Sequence, residues 1–167
     1  MNILIRLLTN KVIAGLLLKP MLKIHTMSYK LSGLLASTIH NNVHPKHSIM
    51  LYKEWFLDNI SEGDVVLDVG CNTGMMTFVM SNKSKFVYGI EIEKKHIEVA
   101  KKSSRKKDNI EYICADATTY DYAYCKPIDT VTLSNVLEHV EFRTDFLKKL
   151  CTQVCWANNG NKKILIR

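Results

Sequence analysis

The stretch Val65-Val-Leu-Asp-Val-Gly-Cys-Asn-Thr-Gly74 predicts a buried strand that ends beside an acid and then turns on two glycines into a helix. A run of apolar, largely β-branched residues is typical of a strand buried on both faces of a parallel sheet. Gly70 and Gly74 lack a Cβ, so the backbone there can turn sharply and approach a ligand closely. Because nucleotide-like ligands bind at the carboxyl edge of open α/β sheets, the segment predicts such a site.

The spacing of this loop differs from that of a dinucleotide-binding loop. Dinucleotide sites use G-x-G-x-x-G, in which the second glycine lets a pyrophosphate approach. The loop here reads D-x-G-x-N-x-G, with Asp68 before it and Asn72 where glycine is frequent. A carboxylate repels a pyrophosphate and attracts a positively charged ligand. A nicotinamide oxidoreductase is therefore disfavoured.

The rest of the sequence alternates between predicted helices and strands. Further strands are predicted at 86–90, 110–114, 128–133 and 163–167, and helices at 75–80, 94–107 and 137–156. A helix with apolar positions from Ile49 to Ile60 precedes the first strand, and residues 1–40 predict one or two more helices. Such alternation predicts a doubly wound α/β sheet with right-handed crossovers.

Acidic or polar residues stand where four of these strands end. They are Asp68, Glu91, Asp116 and the pair Ser134-Asn135. Parallel strands end at a shared edge, so these side chains converge on one crevice. Any one of them alone is also typical of a helix cap. Four in register predict a ligand site.

With the first loop, these residues resemble the class I S-adenosylmethionine-dependent methyltransferases over residues 46–167. The resemblance implies a Rossmann-like, mainly parallel sheet of strand order 3-2-1-4-5, with residues 1–45 as an N-terminal helical extension. It implies S-adenosyl-L-methionine as the cofactor and in-line methyl transfer. The string Leu137-Glu-His-Val140 is similar to methyltransferases that modify quinones and lipids. A small-molecule or lipid-linked acceptor is therefore expected.

Three carboxylates receive roles from this resemblance. Asp68 matches the acid that supports the methionine end of the cofactor. Glu91 matches the acid that accepts hydrogen bonds from both ribose hydroxyls, and a carboxylate suits a diol because it offers two acceptor oxygens. Asp116 matches the acid that binds the adenine amino group.

The remaining cofactor contacts come from the same resemblance. Ala117 offers a backbone amide to the adenine ring, and Asn135 lies near the methionine portion. The complete set of expected cofactor-binding residues is Asp68, Gly70, Cys71, Asn72, Gly74, Glu91, Ile92, Asp116, Ala117 and Asn135.

His139 is the candidate catalytic residue. A sulfonium already has a good neutral leaving group, so the protein mainly aligns the reactants. An oxygen or nitrogen nucleophile still has to lose a proton near neutral pH, a task suited to imidazole. The alternative is that His139 is a first-turn helix residue that moves no proton.

Composition and charge bound the class of protein. The 167 residues predict one soluble globular domain, 47% apolar, with a formal net charge of +7. The run Lys101-Lys-Ser-Ser-Arg-Lys-Lys107 is typical of a solvated helix end, and no aromatic residue interrupts it to stack on bases. An RNA methyltransferase stays an alternative, although no N-P-P-Y-type tetrapeptide follows strand four, where Ser134-Asn-Val-Leu137 stands.

Cysteine and histidine patterns do not favour a metal site. Five cysteines without a C-x-x-C pair indicate a reducing compartment, and a cytoplasmic location is expected. Cys151 and Cys155 lie one helical turn apart without other ligands at metal spacing. Pro45 interrupts any helix that would align His40, His44 and His47.

The two ends of the sequence raise separate questions. Residues 3–24 are apolar but carry four cations, and Val12–Leu18 is too short to span a bilayer. They predict a helix that packs over the core or lies peripherally on a membrane. The sequence ends inside strand five, whereas the family continues through a helix and two more strands. We therefore expect the last two family strands to be absent, and a catalytically inactive binding module stays an alternative.

Overall fold

A computed structural model describes residues 10–39, 51–158, 160 and 162–167 of the chain. The chain divides into two compact units, Met1–Leu51 and Tyr52–Arg167. The described part of the first unit contains one long helix, α1 (Lys11–Ile39), which runs through Pro20. Asn10 caps α1, because its side-chain oxygen accepts hydrogen bonds from the backbone N–H groups of the next turn. The predicted His40, His44 and His47 set lies outside the described residues.

The second unit alternates between helices and strands, as the sequence predicts. Its described elements are α2 (Tyr52–Asn59), β1 (Val65–Val69), α3 (Met75–Met80), β2 (Phe86–Glu91), α4 (Lys94–Ser103), β3 (Ile110–Cys114), β4 (Thr130–Leu133), α5 (Arg143–Gln153) and β5 (Lys163–Ile166). Two short 3₁₀ turns, Tyr122–Tyr124 and Leu137–His139, lie on either side of β4.

The five strands form one parallel sheet in the order β3-β2-β1-β4-β5. This confirms the predicted Rossmann-like fold and strand order. β1 is central and pairs with β2 and β4, which explains why Val66 and Leu67 are completely buried. Buried parallel strands favour such continuous apolar runs.

Alternate residues of β1 pack against different layers of the fold. Leu67 belongs to a core cluster with Phe146 and Leu150 of α5. Val66 belongs to a separate cluster with Ile60 and Met80. Side chains of successive strand residues point to opposite faces, so the sheet is covered by helices on both sides.

The helix predicted at 137–156 is wrong at both ends. After the 3₁₀ turn the backbone of Val140 is extended, and α5 begins only at Arg143. At the other end Val154 is extended, and Trp156 forms an isolated parallel bridge with Ile128. A residue that pairs with the sheet cannot continue the helix, so α5 stops at Gln153.

One other helix and one strand are shorter than predicted. The helix predicted to residue 107 ends at Ser103, and the hydroxyl of the next residue, Ser104, forms a 2.9 Å hydrogen bond with the Tyr112 hydroxyl. The fourth strand begins at Thr130 instead of Ile128, because Ile128 pairs with Trp156 outside the main ladder.

Candidate functional site

A cavity of about 650 Å³ opens at the carboxyl edge of the sheet. This volume lies within the range of small-molecule and cofactor sites. Its walls come from the ends of β1, β2 and β3, from the segment after β4, and from α5. The lining residues include Gly70, Glu91, Ile92, Asp116, Ala117, Val136, His139, Glu141, Phe142, Asp145, Phe146 and Lys149. Six predicted site residues therefore meet at one cavity: Gly70, Glu91, Ile92, Asp116, Ala117 and His139.

Asp68 lies in the sheet behind this cavity and is buried. One carboxylate oxygen accepts a 2.6 Å hydrogen bond from the Thr77 hydroxyl, and the other accepts a 2.9 Å bond from Thr132. Burial raises the pKa of Asp68 to about 6, against the lowering effect of the two hydroxyls. The side chain therefore ties the end of β1 to α3 and β4.

The two glycines of the loop are required by protein neighbours as well as by backbone conformation. Gly70 and Gly74 have φ angles of 70° and 77°. A Cβ on Gly70 would stand 2.6 Å from Cγ2 of Val136, and one on Gly74 would stand 2.5 Å from the Tyr112 hydroxyl. Either substitution would force the loop or its neighbour to move.

Glu91 is held at the end of β2 by two backbone amides. Its oxygens accept 3.0 Å hydrogen bonds from the N–H groups of Asn72 and Glu93. A carboxylate has about four lone-pair sites, so each oxygen keeps capacity for a further donor. The bond from Asn72 also fixes the glycine loop beside β2.

Side-chain hydrogen bonds fix the loop that follows β3. One oxygen of Asp116 accepts from both the backbone N–H and the hydroxyl of Thr118, at 2.8 and 2.7 Å. The Tyr122 hydroxyl donates to the carbonyl of Ala117 at 2.6 Å. Lys149 of α5 donates to the carbonyl of Thr118 at 2.8 Å. Asp116 and Ala117 are thereby held at the cavity wall.

The segment between β4 and α5 forms the mouth of the cavity. His139 and Phe142 are exposed there, and Phe142 keeps 67% of its surface accessible. The lining contains four carboxylates, those of Glu91, Asp116, Glu141 and Asp145, against the single lysine Lys149. Such a lining favours a cationic ligand over a polyanion.

The other predicted site residues lie outside this lining. Cys71 is buried against Ile97 and Tyr112, and burial raises the pKa of its thiol, which makes it a packing residue. Asn135 has a positive φ of 53°, and its backbone N–H donates to the carbonyl of Arg167. Its neighbour Val136 lines the cavity instead.

Sequence reasoning missed two groups of residues. Thr77 and Thr132 bind Asp68, and the alternation of β4 places Thr132 beside Asp68 once the strand pairing is known. The cavity-lining residues of α5, Phe146 and Lys149, were hidden because the helix was predicted to begin six residues early. Their spacing of three residues was the available signal.

A doubly wound parallel sheet with a glycine loop after β1, an acid at the end of β2 and another after β3 defines the class of Rossmann-like nucleotide-binding folds. The family model described as a methyltransferase domain matches residues 67–154, more than half of the chain. The chain belongs to this methyltransferase family, of the class I type that uses S-adenosylmethionine.

Relatives with different acceptors share this domain. A probable (S)-tetrahydroprotoberberine N-methyltransferase 2 of Papaver bracteatum is 30% identical over 75% of this chain and 36% of its own length. A ubiquinone biosynthesis O-methyltransferase of Idiomarina loihiensis is 29% identical over 58% of this chain and 41% of its own length. The chain thus spans well under half of the length of these relatives.

Among solved structures, coclaurine N-methyltransferase bound to N-methylheliamine and S-adenosylhomocysteine has the same fold. It superposes with a TM-score of 0.57 and 22% identity, over 68% of this chain and 35% of that one.

The residues of the cavity fit the family's cofactor. Glu91 keeps acceptor capacity for a diol, and one oxygen of Asp116 is held by Thr118 while the other has capacity for a further donor. The acidic lining suits the ammonium and sulfonium charges.

Proposed function

We propose that this protein transfers the methyl group of S-adenosylmethionine to a small-molecule or lipid-linked acceptor. The observation that carries the proposal is the single cavity at which Gly70, Glu91, Asp116 and His139 meet, in a chain of this family. The Tyr52–Arg167 unit would hold the cofactor, and residues 1–45 would form an extension to it.

Different residues of the cavity bind different parts of the cofactor. Glu91 accepts the ribose hydroxyls, and its two amide contacts hold the carboxylate in place for them. Asp116 and Ala117 take the adenine. Asp68 does not line the cavity and supports the cofactor indirectly, because its hydrogen bond with Thr77 orders the glycine loop. The roles of Cys71, Asn72, Gly74 and Asn135 are likewise to shape the loops beside the cofactor.

When bound, S-adenosylmethionine supplies an electrophilic methyl group whose leaving group is a neutral thioether. The protein therefore has to align the acceptor and remove its proton. His139 lies at the cavity mouth and is the candidate general base for an oxygen or nitrogen acceptor. Phe142 offers an exposed aromatic surface beside it for the acceptor to pack on.

The acidic mouth favours a small or lipid-linked acceptor over RNA. Glu141 and Asp145 line the same cavity as His139, and their carboxylates would repel an approaching phosphodiester backbone. N- and O-methyltransferases of small molecules are also among the relatives.

The five free cysteines support a reducing location such as the cytoplasm. A lipid-linked acceptor would bring the protein to a membrane surface, with peripheral contact through residues 3–24.

Calorimetry with S-adenosylhomocysteine and with NAD tests the ligand. We expect S-adenosylhomocysteine alone to bind. Glu91→Ala removes the acceptor of two ribose hydrogen bonds, so it should weaken binding by about a hundredfold, or roughly 3 kcal/mol. Glu93→Ala is the matched control, because its exposed side chain pairs with Lys95 and only its backbone touches Glu91. Binding of NAD instead, or equal losses in the two variants, would contradict the proposal.

Turnover separates an enzyme from a silent binding module. The full chain is incubated with methyl-labelled S-adenosylmethionine and three acceptor classes: secondary amines, catechols and lipid quinols. Transfer to one of them supports the proposal. Binding of S-adenosylhomocysteine without transfer to any class would favour the inactive module.

A further inference from the structure

The net positive charge of this protein comes from its N-terminal part. The first 53 residues contain seven lysines and arginines and no acidic residue. The remaining residues contain sixteen basic and sixteen acidic side chains, so the whole formal net charge of +7 comes from those 53 residues. Residues 54–167 are therefore neutral overall, and every charged side chain in the segment that contains α1 is a cation.

The same segment carries an unusual amount of exposed apolar surface. Thirteen large hydrophobic side chains of α1 are exposed, among them Met27 at 72% and Leu34 at 64%. Isolated exposed apolar residues are ordinary, whereas a continuous set of them marks an interaction surface. No helix among the described residues is long and apolar enough to cross a membrane.

Apolar residues and lysines form parallel stripes on α1. Leu17, Ile24 and Leu31 recur every seven residues, and Met27 and Leu34 lie on the same face between and beyond them. Lys19, Lys23 and Lys30 follow a neighbouring stripe at spacings of four and seven. Cations at the border of an apolar face are typical of a helix that lies in a membrane surface.

Three hydroxyl groups of α1 are hydrogen-bonded within the helix. The hydroxyls of Thr26, Ser32 and Thr38 donate to the carbonyls four residues earlier, at 2.8 to 2.9 Å. A hydroxyl that is bonded to its own helix costs less to transfer into a region poor in water.

We propose that α1 binds the surface of an anionic lipid bilayer, with the stripe of Leu17, Ile24, Met27, Leu31 and Leu34 among the acyl chains and Lys19, Lys23 and Lys30 at the lipid phosphates. Charge complementarity selects this occupant, since the helix has four lysines and no carboxylate. This inference stands independently of the methyl acceptor.

A second copy of α1 is a poorer partner for this surface. The seven-residue recurrence resembles a coiled-coil seam, but Pro20 occupies one seam position. Lysines on two identical helices would meet no acid and would repel each other. The apolar surface is also wider than a seam, because Leu18, Met21, Leu22 and Leu35 are exposed outside it.

Vesicle flotation of the full chain tests the inference. One set of vesicles is phosphatidylcholine, and the other is an equal mixture of phosphatidylcholine and phosphatidylglycerol. We expect flotation with the anionic set and its loss at high salt. Lys19→Gln/Lys23→Gln/Lys30→Gln should weaken partitioning on the order of a hundredfold, at about fivefold per lysine. The matched control, Lys101→Gln/Lys102→Gln/Lys106→Gln, removes the same charge from the other unit and should leave partitioning unchanged.

A second variant and a second measurement keep the outcomes distinct. Ile24→Ser/Leu31→Ser should lower partitioning at least tenfold while S-adenosylhomocysteine binding stays unchanged, which shows that the methyltransferase unit is folded. Absence of flotation, equal flotation with both vesicle sets, or an equal effect of the two lysine triples would overturn the inference. A concentration-dependent dimer in vesicle-free buffer, abolished by Ile24→Ser/Leu31→Ser, would assign the surface to a second copy. If the wild-type chain does not bind S-adenosylhomocysteine, the proposed function is contradicted. The flotation result would still test the membrane inference, because it does not depend on the cofactor.

Discussion

The Thr77 hydroxyl donates a 2.6 Å hydrogen bond to the carboxylate of Asp68, nine residues earlier in the chain. The bond joins the end of β1 to the first turn of α3, and the glycine loop lies between them. Asp68 itself is paired with Gly89 and Thr132 in the neighbouring strands. The geometry of the loop at the cavity therefore depends on a buried carboxylate that does not line the cavity.

Thr77→Val should destabilise the fold, because it leaves one oxygen of buried Asp68 without its donor. We expect a loss of about 1–3 kcal/mol in the free energy of unfolding, measured by urea titration at neutral pH. Thr152→Val is the control, since that exposed hydroxyl bonds only carbonyls of its own helix. Its effect should stay within about 0.5 kcal/mol. Equal losses in the two variants would show that the Asp68 contact has no special weight.

Asp68 should also make stability depend on pH. Its pKa rises from 3.8 to about 6 on folding, so the folded state binds the proton more tightly than the unfolded state does. The contribution of this group to stability is therefore complete below about pH 4 and is lost as the pH rises through about 6. The loss is of the order of 3 kcal/mol.

Asp68→Asn tests this dependence, because the amide keeps the shape and does not titrate. The free energy of unfolding of the wild type, minus that of the variant, should fall as the pH is raised between these limits and stay constant above them. A difference that is independent of pH would show that Asp68 does not change its protonation in this window.

Local patterns predicted the doubly wound sheet and the convergence of Gly70, Glu91 and Asp116, whereas the strand order came from the family resemblance. They succeeded because strand burial, glycine turns and the shared edge of parallel strands are encoded over short stretches. The start of α5 was not predictable in this way, since Val140 is extended and the cavity wall runs from His139 to Phe142.

Other features depend on contacts between residues that are distant in the sequence. The end of α5 depends on the pairing of Ile128 with Trp156. Gly89 gave no signal at all, although a Cβ there would stand 2.9 Å from Cδ1 of Tyr112. Such steric requirements become visible only when the strands are placed side by side.

His139→Gln should lower turnover while leaving cofactor binding unchanged. General-base catalysis typically contributes about 10²–10⁴-fold, so kcat should fall by that order. Glu138→Gln is the matched control, because Glu138 is exposed, adjacent and outside the cavity lining. The measurement is kcat against pH with the acceptor that the turnover assay identifies. A variant with unchanged turnover at every pH would end the general-base assignment.

Lys149→Met should weaken cofactor binding without touching the cofactor's charged groups. The ammonium of Lys149 donates a hydrogen bond to the carbonyl of Thr118 at 2.8 Å and lies 5.5 Å from the centre of the Tyr122 ring. The Tyr122 hydroxyl in turn donates to the carbonyl of Ala117. Without it the loop that carries Asp116 becomes less ordered. Calorimetry with S-adenosylhomocysteine should show a loss of roughly fivefold, or about 1 kcal/mol, the usual size of one hydrogen bond.

Lys148→Met provides the control for this last change, because the neighbouring lysine is exposed and pairs only with Asp145 at 3.7 Å among the salt bridges of the described residues. Both variants remove one positive charge from the same turn of α5, so a general electrostatic effect on a cationic ligand would tighten binding in both. If Lys149 instead acts by ordering the loop that carries Asp116, Lys149→Met should weaken binding, and Lys148→Met should not. Parallel changes in the two variants would therefore assign Lys149 to the field of the cavity and remove it from the support of the loop.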